Sequence, residues 1–211
     1  MMDKYHGSLW EVPLGENLGF AYVQMIDMDM YNMYGWFLKI FNHRSETSVQ
    51  KKKVSDEEFN SWDLLTSSVV TAGTPPRRGD GKWKSLGIYP LSEEDLVSPL
   101  FKAADSHSLD YKKGTWTAYN GPPSGTRQSV DWSGLQFEQV EHLSFYNPVV
   151  FLHAVPVRLT MEWMKYLGID FENYSPPKTS LDHLEAMKTH VRYGTNFASV
   201  PKNIRGKIKP I

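Results

Sequence analysis

The chain has 211 residues, of which 40% are hydrophobic and 22% charged, with no cysteine and a formal net charge of −1. Those proportions suit an ordered globular chain, and the absence of thiols excludes disulfides, thiolate metal sites and cysteine nucleophiles. So small a net charge argues against strong global attraction to nucleic acid or to an anionic membrane.

No run approaches the roughly 18 apolar residues that would cross a bilayer. The start, MMDKYHGSLWEVPLG, lacks the basic opening and apolar centre of a secretion signal. A cytoplasmic location with no membrane association is therefore expected. Charge is unevenly spread. Residues 1–38 hold five acids against Lys4 alone, and residues 201–211 hold four cations and no acid. A basic end broken by Gly206 and Pro210 reads as a solvated tail.

In chain order, SLWEVPL is a strand ending at Pro13 and the turn GENLG. GFAYVQMIDMDM then alternates. Phe20, Tyr22, Gln24, Ile26, Met28 and Met30 share one face, and Ala21, Val23, Met25, Asp27 and Asp29 the other. The second face begins apolar and turns acidic, as in a strand leaving the core for solvent. YNMYG supplies a turn and WFLKIFN the returning strand, so a hairpin is predicted. Ser55 with Glu58 forms a capping box before Phe59, Trp62 and Leu65, predicting a short helix. SSVVTAG reads as a strand, and so does the run through Trp83, Leu86 and Ile88. Ser92 with Asp95, and Leu91 with Leu96, open a second helical turn that Pro99 stops.

Residues 105–134 read as loops around one strand, GTWTAY. FYNPVVFLHAVPVRL reads as one or two buried strands, with Pro148 and Pro156 at strand ends. RLTMEWMKYLGID places Leu159, Trp163, Met164 and Leu167 on one helical face that Gly168 ends. KTSLDHLEAMKTHVRYG is the clearest helix: Thr179 and Asp182 cap it, Leu181, Leu184, Met187, Lys188 and Val191 form the stripe, and Gly194 closes it. No repeat is visible. The predicted class is α+β: a twisted antiparallel sheet or partly closed barrel first, helices near the C-terminus. A single domain over 1–211 is expected, with 157–211 a helical extension packed on the sheet.

Two stretches carry a likeness to a known family. HGSLWEVPLGENLGFAYVQMID (6–27) and GDGKWKSLGIYPL (79–91) resemble elements of the immunity protein 26 family of bacterial polymorphic toxin systems. Trp10, Gly19, Trp83 and Gly87 match its pattern, within the first hundred residues. The resemblance implies a mostly β fold and a protein encoded beside a toxin, which it binds and neutralises; it implies no catalytic residue. Physically, the tryptophans fill a sheet core and the glycines sit where backbone must turn or approach closely.

Three uses of Asp27 and Asp29 are open. On one strand face roughly 7 Å apart at Cα, the carboxylates could hold a divalent ion for a transferase, though no Gly-rich strand-to-helix unit accompanies them. They could simply be solvated. With Met28, Met30, Met33, Tyr31 and Tyr34 they could also form a protein interface. Asp27, Asp29, Tyr31 and Tyr34 are the candidate partner-binding set. The seven histidines show no ligand spacing; His142 and His153 read as buried and hydrogen-bonded, and His183 and His190 share a helix face. No nucleophile elbow exists, and Ser124 is a loop serine. Arg77, Arg78 and Lys82 around Trp83 suit single-stranded nucleic acid, unless Trp83 packs inward and the arginines decorate a loop tip, which is the favoured reading. The leading expectation is an antitoxin-type immunity protein that occludes a cognate toxin domain without catalysis, cofactor or metal. The alternative is a small β-barrel RNA-binding protein or endoribonuclease using Arg77, Arg78, Lys82 and Trp83.

Overall fold

The structure is a computed structural model that describes residues 4–28, 35–50, 53–79, 81–104, 112–120, 132–145, 150–177 and 183–210. Its first sheet grows from an antiparallel meander. β1 (Ser8–Pro13) pairs with β2 (Phe20–Asp27) from Leu9 opposite Gln24 to Pro13 opposite Phe20. Between them Glu16 and Asn17 both have positive φ (53° and 55°), and Leu18 N donates to Gly15 O at 3.0 Å. Two left-handed central residues give the turn whose twist matches that of the flanking strands. Asn17 accepts that conformation readily, whereas Glu16 adopts it at a cost. Gly19 (φ 79°) is fixed by space: a Cβ there would lie 2.1 Å from Ser45 O.

β3 (Trp36–Ser45) returns along β2, with Asp27 opposite Trp36 and Phe20 opposite Ser45. The predicted hairpin is therefore present, although its tip, residues 29–34, lies outside the described residues. Ala21, Val23 and Met25 enter the main core with Trp10, Val12, Leu38 and Ile40, while Tyr22 and Ile26 enter smaller clusters on the opposite face. Both faces are covered, and this overturns one expectation. Asp27 is only 6% exposed rather than solvated, and its backbone N–H donates to His6 Nδ1 at 3.1 Å.

The helix predicted after Ser55 is α1 (Asp56–Ser61), with Ser55 Oγ accepting from Glu58 N at 3.1 Å and Phe59 packing inward. β4 (Val69–Ala72) extends the sheet beyond β3, and β5 (Lys84–Ile88) adds to β1 on the other side. At 93–96 the chain makes a short 3-10 turn in which Asp95 accepts from Ser92 N at 2.8 Å and pairs with Lys39. Leu96 there is exposed, so it makes no buried staple.

A second sheet is built from β6 (Leu100–Ala104), β7 (Trp116–Asn120) and β8 (Trp132–Leu135). Of these only β7 was expected. α2 (Phe137–Val140) leads to two-residue strands, β9 (Ser144–Phe145) beside β6 and β10 (Val150–Phe151) beside β4, both parallel. The final orders are β10-β4-β3-β2-β1-β5 and β8-β7-β6-β9, open sheets rather than a closed barrel.

α3 (Val155–Tyr166) corrects the strand expected through Val155–Leu159. Pro156 stands in the first helical turn, where a missing N–H costs nothing. The helix is buried nearly all round, Leu159, Trp163 and Met164 included, but Leu167 is 43% exposed and falls off the expected stripe. Gly168, at φ 72°, ends it. α4 (Leu184–Tyr193) buries Met187, His190 and Val191; its expected cap, Thr179 with Asp182, lies outside the described residues. Lys165 Nζ donates to Val191 O at 2.6 Å and Gly194 O at 2.7 Å, satisfying carbonyls at the end of α4.

The C-terminal segment is largely exposed, as expected of a solvated end, but it is also anchored. Arg205 donates to Asp63 Oδ1 (2.5 Å), Phe197 O (2.5 Å) and Val200 O (2.8 Å). Lys209 pairs with Glu141, and its N–H donates to Gln139 O at 2.9 Å. The class is α+β, with the main core drawing on residues from Tyr5 to Val191. No helix of the described residues is long and apolar enough to cross a membrane.

Candidate functional site

Where β1 meets β5, the sheet edge opens into a cleft of about 420 Å³. Three backbone hydrogen bonds fix its far wall: Gly7 N to Met25 O (2.8 Å), Tyr89 N to Gly7 O (2.9 Å) and Ser8 N to Tyr5 O (2.9 Å). The β1–β5 pairing slips between Leu9 and Trp10, so Leu9 faces Gly87 and Trp10 faces Ser85. Trp83 N donates to Pro76 O at 2.7 Å, which ties the 73–79 loop to the start of β5.

The floor is aromatic. Tyr5 and Trp10 meet edge-on at 5.8 Å, Trp10 and Trp83 at 6.3 Å, and Tyr5 also meets Trp36 at 5.8 Å. Trp10 Nε1 donates to Ser8 Oγ at 2.7 Å. Trp83 is 4% exposed, and its Nε1 is buried without a hydrogen-bond partner among the described residues. The rim is cationic. Arg77 Nη2 donates to Tyr5 Oη at 2.6 Å, and its guanidinium lies 5.3 Å from the Tyr5 ring centre. Lys4 Nζ lies 5.1 Å from the same ring. Both cations line the cleft. Neither is paired with a carboxylate among the described residues. Such a site offers charge, a guanidinium fork and an apolar margin, the last from Ile88, 67% exposed.

The residues singled out from sequence divide accordingly. Arg77 and Trp83 converge in the cleft, while Arg78 and Lys82 are exposed and do not line it. Trp83 packs inward, as favoured. Asp27 is buried, and Asp29, Tyr31 and Tyr34 lie outside the described residues. Among the described residues no group of three or more His, Asp or Glu side chains could hold a metal ion. His142 is buried, but its ring nitrogens make no hydrogen bond; Nε2 lies 3.4 Å from Glu141 Oε1 without suitable geometry. His153 is exposed, contrary to expectation, and stacks on Phe151 at 5.8 Å. His183 stands just before α4 in the left-handed region and His190 is buried within it.

One charged residue escaped sequence reasoning altogether. Lys102, on β6, is completely buried. Its Nζ donates to Glu141 O at 2.8 Å and lies 4.4 Å from the Phe145 ring centre, 5.1 Å from Phe137 and 5.9 Å from Trp116. Burial pushes its amine down from 10.5 to about 7, with Glu141 opposing and Lys165 and Arg158 reinforcing the fall. His190 stacks on the other participant, Phe145, at 4.2 Å. Burial, then Arg158 and Lys102, hold it well below the ordinary histidine range. Arg158 itself is paired with buried Glu162, Nε to Oε1 at 2.8 Å. A part-neutral amine is a potential nucleophile, but with no exposed atom Lys102 belongs to the packing of the second sheet. The only hint of it in sequence is a lone lysine inside the apolar run LFKAA.

Comparison of the chain with models of protein families, with curated proteins and with solved structures finds no match in any of the three.

Proposed function

We propose that the chain is an antitoxin-type immunity protein, which acts in the cytoplasm by binding a cognate toxin domain of a polymorphic toxin system and occluding it without catalysis. The observation that carries this is the cleft at the β1–β5 edge. Arg77 and Ile88 stand exposed there beside the buried Tyr5, Trp10 and Trp83, and Arg is among the side chains that most often dominate binding energy at protein interfaces. Three of the four residues behind the family likeness, Trp10, Trp83 and Gly87, line the same cleft. The fourth, Gly19, serves the β1–β2 turn. Co-expression with the toxin module encoded beside the gene tests this directly. Cells making both should survive, and the two proteins should co-purify. Continued killing at matched expression would overturn it.

RNA binding or cleavage is the second reading, because Arg77 and Trp83 do share a cleft. Retention on RNA at low salt, falling steeply as salt rises, would favour it; no retention at low salt would remove it.

A further inference from the structure

We propose that the β1–β5 cleft is a carboxylate receptor: it takes an acidic, extended peptide segment of the partner, with Arg77 and Lys4 holding the acid and Ile88 the apolar side chain beside it. This rests on the binding role above and names the chemistry of what is bound.

Charge comes first. The two cations sit on one rim, and neither is neutralised by a carboxylate among the described residues. Three arginines elsewhere are paired with carboxylates: Arg158 with Glu162, Arg192 with Glu172, Arg205 with Asp63. Arg77 is also pre-oriented. Tyr5 Oη takes one donor of its guanidinium at 2.6 Å, with the guanidinium 5.3 Å from the ring centre. The remaining donors form the planar fork that matches a carboxylate with two parallel hydrogen bonds.

Shape and exposure then choose the ligand class. At about 420 Å³ the cleft falls within the roughly 300–1,000 Å³ range of sites that enclose a few groups. Single-stranded nucleic acid needs open ring faces for stacking and a track of cations along its backbone. Tyr5, Trp10 and Trp83 are all buried, and Arg78 and Lys82 do not line the cleft. An acidic peptide needs neither feature. It needs the fork, a second positive charge and a nearby apolar contact, which Ile88 supplies from the exposed end of β5.

Fluorescence anisotropy of fluorescein-labelled hexaglutamate against the purified chain at about 20 mM salt provides the test, low salt lengthening the reach of the rim charges. Saturable binding is expected. Arg77→Ala should weaken it about tenfold or more, as loss of a charge-assisted pair does. Arg77→Lys should recover only part, because the fork is gone. Arg78→Ala, a neighbouring cation outside the cleft, should leave it unchanged. Arg77 and Arg78 are exposed, so thermal melts of these variants should coincide with the parent. Absence of saturable hexaglutamate binding would overturn the assignment. So would equal weakening by Arg78→Ala, or hexauridylate competing as well as unlabelled hexaglutamate. Hexaglutamate binding without rescue of toxin-expressing cells would refute the immunity role and leave the receptor standing. Rescue undiminished in Arg77→Ala, with peptide binding lost, would refute the cleft as the toxin's contact.

Discussion

Replacing Lys102 with methionine keeps an unbranched chain among the same three rings and removes the charge. In the unfolded chain the amine titrates near 10.5, and in the fold near 7 because of burial. At pH 7 that interval corresponds to roughly 4 kcal/mol against the folded state. Glu141 O still accepts from Thr195 Oγ1 at 3.0 Å, so its carbonyl is not left bare by the change. Lys102→Met should therefore stabilise the protein by up to roughly 4 kcal/mol at pH 7. Between pH 7 and 10.5 the unfolded chain carries a proton that the folded chain lacks. Parent stability accordingly rises with pH across that window, and the advantage of the variant shrinks to nothing near its top. Urea unfolding followed by tryptophan fluorescence at pH 7, 8.5 and 10 measures the difference. A variant less stable than the parent at pH 7, or a difference that does not vary with pH, would refute the reasoning.

His190 should dominate the acid side of the profile. Its folded value is depressed below 6.5, so its contribution is intact above pH 6.5 and is lost as pH falls beneath it; His190→Phe should flatten that limb in the same urea series. Gly19→Ala sets a Cβ against Ser45 O and should cost at least about 2 kcal/mol, seen as a lower urea midpoint with an unchanged slope. Glu16→Gly relieves a left-handed residue and should raise stability by about 1 kcal/mol in thermal unfolding. Arg205→Ala removes the hydrogen bonds that hold the C-terminal segment and should cost about 2–3 kcal/mol. Arg205 also holds the Asp63 carboxyl below its ordinary value, so the parent's excess stability over this variant should shrink as pH drops beneath 3.8, leaving the share owed to the Phe197 and Val200 carbonyls.

The meander was legible because side chains on a strand alternate with period two, and residues 20–27 obey that period. What the alternation could not reveal was that both faces are covered, which is why Asp27 was expected in solvent. Val155–Pro156–Val157 resembles a strand end because proline and β-branched residues favour one; only the packed environment shows the proline in a first helical turn. A helix buried all round, like α3, also offers no polar stripe to count. β6 was hidden by Lys102, a residue that composition places at the surface, and β8 by Ser133 and Gly134 in WSGL. The cleft is long-range by nature. Tyr5 and Arg77 are 72 positions apart, and nothing local in either sequence window announces that a phenol will aim a guanidinium. Trp83, by contrast, packs inward as expected, leaving the charged residues of its loop at the surface.

The short parallel pairings of β9 and β10 have a consequence for synthesis. The first sheet receives its outermost strand only at residues 150–151, and its main core only when the 155–166 helix arrives. A ribosome that has made the first ninety residues has therefore synthesised five of that sheet's six strands with one apolar side still bare. Nascent chains stalled before residue 150 should be the ones that chaperones hold.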